Sequence, residues 1–110
     1  MNKMKTMVLA ASTAALSLGA VATASADALA LATKSGCMAC HQVENKVVGP
    51  AYKDVAAKYK GQEGAVDMLT QKTIAGGVGN WGQVPMPPKG GRADVSDEDI
   101  KTIVAWILSL

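Results

Sequence analysis

Cys37, Cys40 and His41 fall within five consecutive residues, "CMACH", and His41 is the one histidine of the chain. Residues three or four apart share a face on a tight helical turn. Both sulfurs would then be presented together, with an imidazole directly after the second. Several chemistries use such groups. A thioredoxin-like dithiol takes Cys-x-x-Cys, but in a βαβ setting, and no segment shows convincing strand alternation. A structural zinc site needs four ligands, and these three are crowded together. Blue copper needs two histidines. A plain disulfide is the usual fate of two exported cysteines, and it gives His41 no part.

Cys-x-x-Cys-His is also the attachment pattern for c-type haem. Cys37 and Cys40 would bind the two vinyl groups on one porphyrin edge as thioethers. His41 would offer a nitrogen to the iron. The iron then has a sixth position, with no second histidine to fill it. Residues 27–110 hold Met38, Met68 and Met86. Met38 sits inside the attachment turn, on the His41 side, and cannot swing round. Met68 lies mid-helix beside Leu69 and reads as a packing residue. Met86 stands between Pro85 and Pro87, whose rings stiffen the backbone around it. Pre-ordering lowers the entropy lost in holding a weak thioether ligand. The pattern points to His41 and Met86 as the two axial ligands.

The surrounding elements must position these groups. Lys3 and Lys5 precede an apolar run over residues 7–22, which ends in "ATASAD". That order reads as a signal peptide, residues 1–26, cut between Ala26 and Asp27. Without Lys3 and Lys5, 9 basic side chains remain against 9 acidic ones, so residues 27–110 have no net formal charge. Nothing there argues for a nucleic-acid partner. The mature domain, residues 27–110, has no Phe, two Trp and two Tyr, which is scarce core material for a chain this small.

Four helices are expected. Residues 28–35 are rich in Ala and Leu and stop near Gly36. A second helix begins from Gly49-Pro50, with Pro50 near its first turn and Tyr52, Val55, Ala56 and Tyr59 on one apolar face. A third covers residues 64–75, with Val66, Leu69 and Thr73 aligned and Gly76-Gly77 as the stop. The last opens on a capping box, Ser96 with Asp99, and carries Ile100, Ile103, Val104, Ile107 and Leu108 as its stripe. Residues 76–95 form a long loop with six glycines and three prolines. Such loops are usually functional or disordered.

The stretches "GCMACH", "VGPAYKDVAAKY", "GNWGQVPMPP" and "VSDEDIKTIVAWILSL" together resemble the small bacterial class I cytochromes c, most closely the c-551 (c8) type. The resemblance implies an all-α fold of about four short helices around one covalent haem c. It implies thioethers at Cys37 and Cys40, His41 as proximal ligand and Met86 as distal ligand. It also implies that Pro50 packs near the proximal histidine, with a nearby carbonyl holding the ring N–H. By the same likeness Trp81 donates its indole N–H to a haem propionate, and Trp106 lies on a C-terminal helix packed across the N-terminal one. Three positions depart from the pattern. Lys72 stands where Arg often pairs with a propionate, which loses the bidentate fork. Lys89 replaces an Asn that supports the Met sulfur, in a longer "KGGRAD" segment. Gln83 stands where Pro is frequent.

The function expected is a soluble, monomeric, periplasmic one-electron carrier, not an enzyme and not inserted in a membrane after cleavage. The likeness implies a bc-type complex or other donor upstream and a nitrite reductase or terminal oxidase as acceptor. Lys34, Lys46, Lys53 and Lys89 are candidate rim charges for docking. The alternative is a haem sensor or peroxidase-like enzyme with a labile Met ligand. It needs distal acid–base groups, and no second histidine exists to supply one. A haem-filled interior also has a consequence for folding. The haem-free chain is expected to be largely unfolded, checked by the absence of a cooperative thermal transition in apoprotein.

Overall fold

The computed structural model describes residues 18–110. The expected leader lies largely outside them. Helix α1 (Leu18–Lys34) is continuous from Leu18, so the helix expected at residues 28–35 is only its second half. Residues 20–35 contain no Gly or Pro to interrupt it. A single 3₁₀ turn, Cys37–Ala39, follows at once. Helix α2 (Tyr52–Tyr59), helix α3 (Ala65–Ala75), a short irregular 3₁₀ segment (Pro88–Gly91) and helix α4 (Asp97–Ile107) complete the chain. Among the described residues helices are thus the regular elements, joined by loops, with one isolated β-bridge between Gly77 and Met86.

Helix α4 organises the rest because its apolar stripe is wide enough to meet two neighbours. Ile103, Trp106 and Ile107 pack with Ala28 and Ala32 of α1 and Tyr52 of α2. The two alanines, one turn apart, let the bulky side chains of α4 come close. Ile100 and Val104, on the adjoining edge of the same stripe, join Val95 against Val66, Leu69 and Ile74 of α3. The expected stripe therefore widens to include Trp106, which is buried on the α1 side. Its ring meets Tyr52 edge-on, with centroids 5.8 Å apart.

The helix starts are set locally. In α4 the Ser96 hydroxyl accepts from the Asp99 amide at 3.1 Å, and Asp97, Glu98 and Asp99 occupy the positive end of the helix. Helix α2 begins at Tyr52, two residues beyond Pro50, because Ala51 is extended. Its first amides are not capped by a side chain. Tyr52 N–H and Lys53 N–H donate to the carbonyls of Gln42 and Val43 at 2.9 and 3.0 Å, satisfying donors that any helix start leaves over. The segment just after His41 is thereby tied to α2. On α3, Val66 and Leu69, two of the three residues expected to align, pack toward α4, and Thr70 is buried with its hydroxyl donating back to the Val66 carbonyl at 2.7 Å.

Removing the Ser96 cap is expected to cost about 1 kcal/mol. Ser96→Ala should lower the guanidinium unfolding midpoint of the protein without changing the slope of the transition.

Candidate functional site

The turn after α1 delivers the three reactive side chains together. Cys40 N–H and His41 N–H both donate to the Cys37 carbonyl, at 3.2 and 3.0 Å, so Cys37, Cys40 and His41 occupy one turn. Cys37 is half-buried, Cys40 is exposed, and both are separate thiols. Burial pushes the Cys37 thiol above its ordinary range, against a hydrogen bond from Tyr52 and the charge of Arg92. Tyr52 is itself pushed far up, by burial and then by Cys37, so its phenol stays protonated as a donor.

His41 is held on several sides. Its Nδ1 lies 2.9 Å from the Pro50 carbonyl oxygen. A carbonyl only accepts, so Nδ1 carries the proton and Nε2 keeps a free lone pair. The ring stacks on Tyr52, with centroids 5.0 Å apart and planes inclined by 21°. Gly49 closes in as well. A Cβ there would fall 2.4 Å from the ring carbon Cε1, which only glycine avoids. Gly49 is fixed in turn by its N–H to the Cys40 carbonyl at 2.7 Å.

His41 faces a cavity of about 280 Å³ that also takes in Cys37, Cys40, Pro50, Trp81 and Met86. Of the methionines in residues 27–110, Met86 alone lines it. Met38 packs in the α1–α4 cluster and Met68 is exposed on α3, rather than packed as expected. Met86 is fixed by its main chain. Its N–H and carbonyl pair with the carbonyl and N–H of Gly77, at 2.8 and 3.0 Å. Gly76 makes this approach possible, since a Cβ would lie 2.7 Å from the Met86 oxygen and φ there is +75°. In the sequence Gly76-Gly77 looked only like a helix stop.

The peripheral residues divide. Lys72 and Trp81 both line the cavity and are exposed. Lys58, which sequence reasoning passed over, lies 4.7 Å above the Trp81 ring and 3.5 Å from the Asn80 carbonyl. Gln83 is exposed in the same loop. Of the candidate rim lysines, Lys34 and Lys46 are exposed and Lys53 pairs with Glu44 at 2.8 Å. Lys89 is not an open rim charge. Its side chain is 22% exposed and reaches Val95 and Asp97.

The cavity suits a flat apolar group with a metal at its centre. Val48, Val78 and Val84 line it, yet are 50, 59 and 63% exposed, an apolar surface that such a group would cover. Two thiols and a free imidazole nitrogen open onto the same space. A family model described as cytochrome c matches residues 25–110.

The chain belongs to the cytochrome c family.

Cytochrome c-551 of Allochromatium vinosum is 63% identical over 82 residues, covering 74% of this chain and 84% of that protein. Cytochrome c-552 of Nitrosomonas europaea is 51% identical over 96 residues, covering 87% of each. The crystal structure of wild-type Nitrosomonas europaea cytochrome c552 superposes with a TM-score of 0.70 at 52% identity, over 74% of this chain and 98% of that one. The fold is therefore the all-α class I cytochrome c fold, of the c-551 type. With the family come one covalently attached haem c and the work of an electron carrier, not an enzyme, that acts with redox protein partners.

Gly49→Ala in this cytochrome should swing the His41 ring off the Pro50 carbonyl. The expected loss is about 1–3 kcal/mol of stability, as for overpacking elsewhere, together with an altered visible spectrum. Chemical unfolding followed in the visible band reads both.

Proposed function

We propose that the protein is an exported carrier of single electrons in which Cys37 and Cys40 hold the haem as thioethers and His41 and Met86 are its axial ligands. The observation that carries this is the His41–Pro50 hydrogen bond, which leaves Nε2 free in a cavity that Met86 also lines. The bound haem supplies an iron that alternates between Fe(III) and Fe(II).

The chain does the rest by holding things still. Pro50, Gly49 and Tyr52 fix the imidazole, so the nitrogen donor need not reorganise when the charge on the iron changes. Gly77 fixes Met86 through two main-chain bonds. With two such ligands in place no position stays open for a substrate, and a neutral thioether raises the potential relative to a second imidazole. As a thioether, the Cys37 sulfur has no proton to lose, and the buried Tyr52 hydroxyl can still donate beside it. Trp81 and Lys72 line the cavity and would meet the propionates, Lys72 as a point charge.

Exchange with partners would occur where Cys40 and the exposed valines border the cavity, with Lys34, Lys46 and Lys53 as surrounding charges. The residues that reach the periplasm would be 27–110, after cleavage following Ala26. Among the described residues no helix is long and apolar enough to cross a membrane. A bc-type complex as donor and a nitrite reductase or terminal oxidase as acceptor fit this reading, with the carrier working as a monomer.

Met86→Ala is the direct test. The weak long-wavelength sulfur-to-iron band should vanish and the potential should fall, while the intact mass still shows residues 27–110 plus one haem. A variant that keeps both band and potential would refute the ligand assignment.

A further inference from the structure

Lys89 is the one non-glycine among the described residues with positive φ, at 52°. Left-handed backbone is disfavoured for a side chain of this kind, so something must hold it there. Its stem is largely withdrawn from water, and its ammonium has two acceptors. Nζ donates to the Val95 carbonyl at 2.9 Å and lies 3.0 Å from the Asp97 carboxylate. Val95 is buried under α4, and Asp97 is the first residue of that helix. A cation near the positive end of a helix is placed against the dipole. The carbonyl and the carboxylate must therefore outweigh that repulsion.

The same residue closes the arm that carries Met86. Pro87 and Pro88 separate the two, and neither ring can rotate about φ. On the near side Met86 is paired with Gly77. On the far side Gly90 N–H returns to the Pro87 carbonyl at 2.9 Å, and Arg92 N–H to the Lys89 carbonyl at 3.1 Å. Arg92 then forks onto Asp94, with both bonds at 3.0 Å. The turn after the prolines is thus a small closed structure. Of its side chains, Lys89 carries the charged tie to the N-terminus of α4.

We propose that Lys89 is a positioning residue for Met86: by fastening the Pro87-Pro88 turn to Val95 and Asp97, it sets how readily the methionine sulfur leaves its place in the cavity. This rests on the reading of Met86 as an axial ligand. Met86 is anchored at one end by the Gly77 bridge and at the other through two rigid prolines. Releasing the second anchor lets the arm pivot about the bridge while the helices stay packed.

Imidazole added to the ferric, haem-loaded protein is a suitable probe, because it can bind only while Met86 is displaced. Its apparent affinity scales with the fraction of open molecules. Lys89→Met keeps the stem and removes the charge. It should raise imidazole affinity about tenfold, the size expected for losing a charged hydrogen bond. Lys89→Arg, which can reach the same two acceptors, should restore affinity to within about twofold of the parent. Asp97→Asn leaves Lys89 in place and gives the answer should Lys89→Met fail to fold; a rise of about threefold or more is expected. A purely structural lysine would lower the unfolding midpoint and leave imidazole affinity alone. An affinity unchanged within about twofold in both Lys89→Met and Asp97→Asn overturns the inference, as does an equal rise in Lys89→Arg. Met86→Ala separates the two levels. If it binds imidazole no more tightly than the parent, Met86 is not the ligand and both readings fall. If it binds more tightly while the Lys89 and Asp97 variants do not, only the positioning role fails.

Discussion

The bond from the His41 ring to the Pro50 carbonyl decides which imidazole nitrogen is available, and through it which way the site can work. A carbonyl that accepts from Nδ1 selects one tautomer, and Nε2 is left as the donor. That bond survives only if Pro50 cannot drift. Two features prevent it. The first amides of α2 hold the carbonyls of Gln42 and Val43, and the Gly49 amide holds the carbonyl of Cys40. The loop from Cys40 to Tyr52 is thus closed at both ends on itself, with the imidazole enclosed by its own connecting segment.

The helices serve that loop from outside. Helix α4 brings α1 and α3 together by burying the two edges of one wide stripe against them, and Tyr52 belongs both to the α1–α4 core and to the stack on His41. One side chain therefore links packing to the orientation of the His41 ring. The other half of the cavity is built differently. Residues 76–88 contribute little core; they are held by the Gly77–Met86 pair, by proline stiffness and by the turn that Lys89 closes.

Much of this was legible in the residues. The Cys37, Cys40, His41 spacing, the Ser96 cap, the apolar stripe of α4 and the odd position of Met86 between prolines each follow from local rules. They are short-range patterns, and short-range physics sets them. The start of α1 was not legible, since an Ala-rich helix reads through a cleavage signal without any change in propensity. Gly49 looked like a helix entry because nothing local says that a ring packs against it. Lys89 read as a rim charge open to partners, and only the approach of Val95 and Asp97 draws it inward. Residues whose role is set by contacts from distant segments carry no local signature.

The joints that hold His41 and Met86 in place are made of main chain: Gln42 and Val43 to α2, Gly49 to Cys40, Gly77 to Met86. Such joints are indifferent to what side chain stands at an exposed position like Gln42. They are strict about counting. Adding or deleting one residue between His41 and Tyr52, or between Gly77 and Met86, shifts every donor past its acceptor. Drift in composition around this haem pocket is therefore cheap, whereas drift in loop length is not.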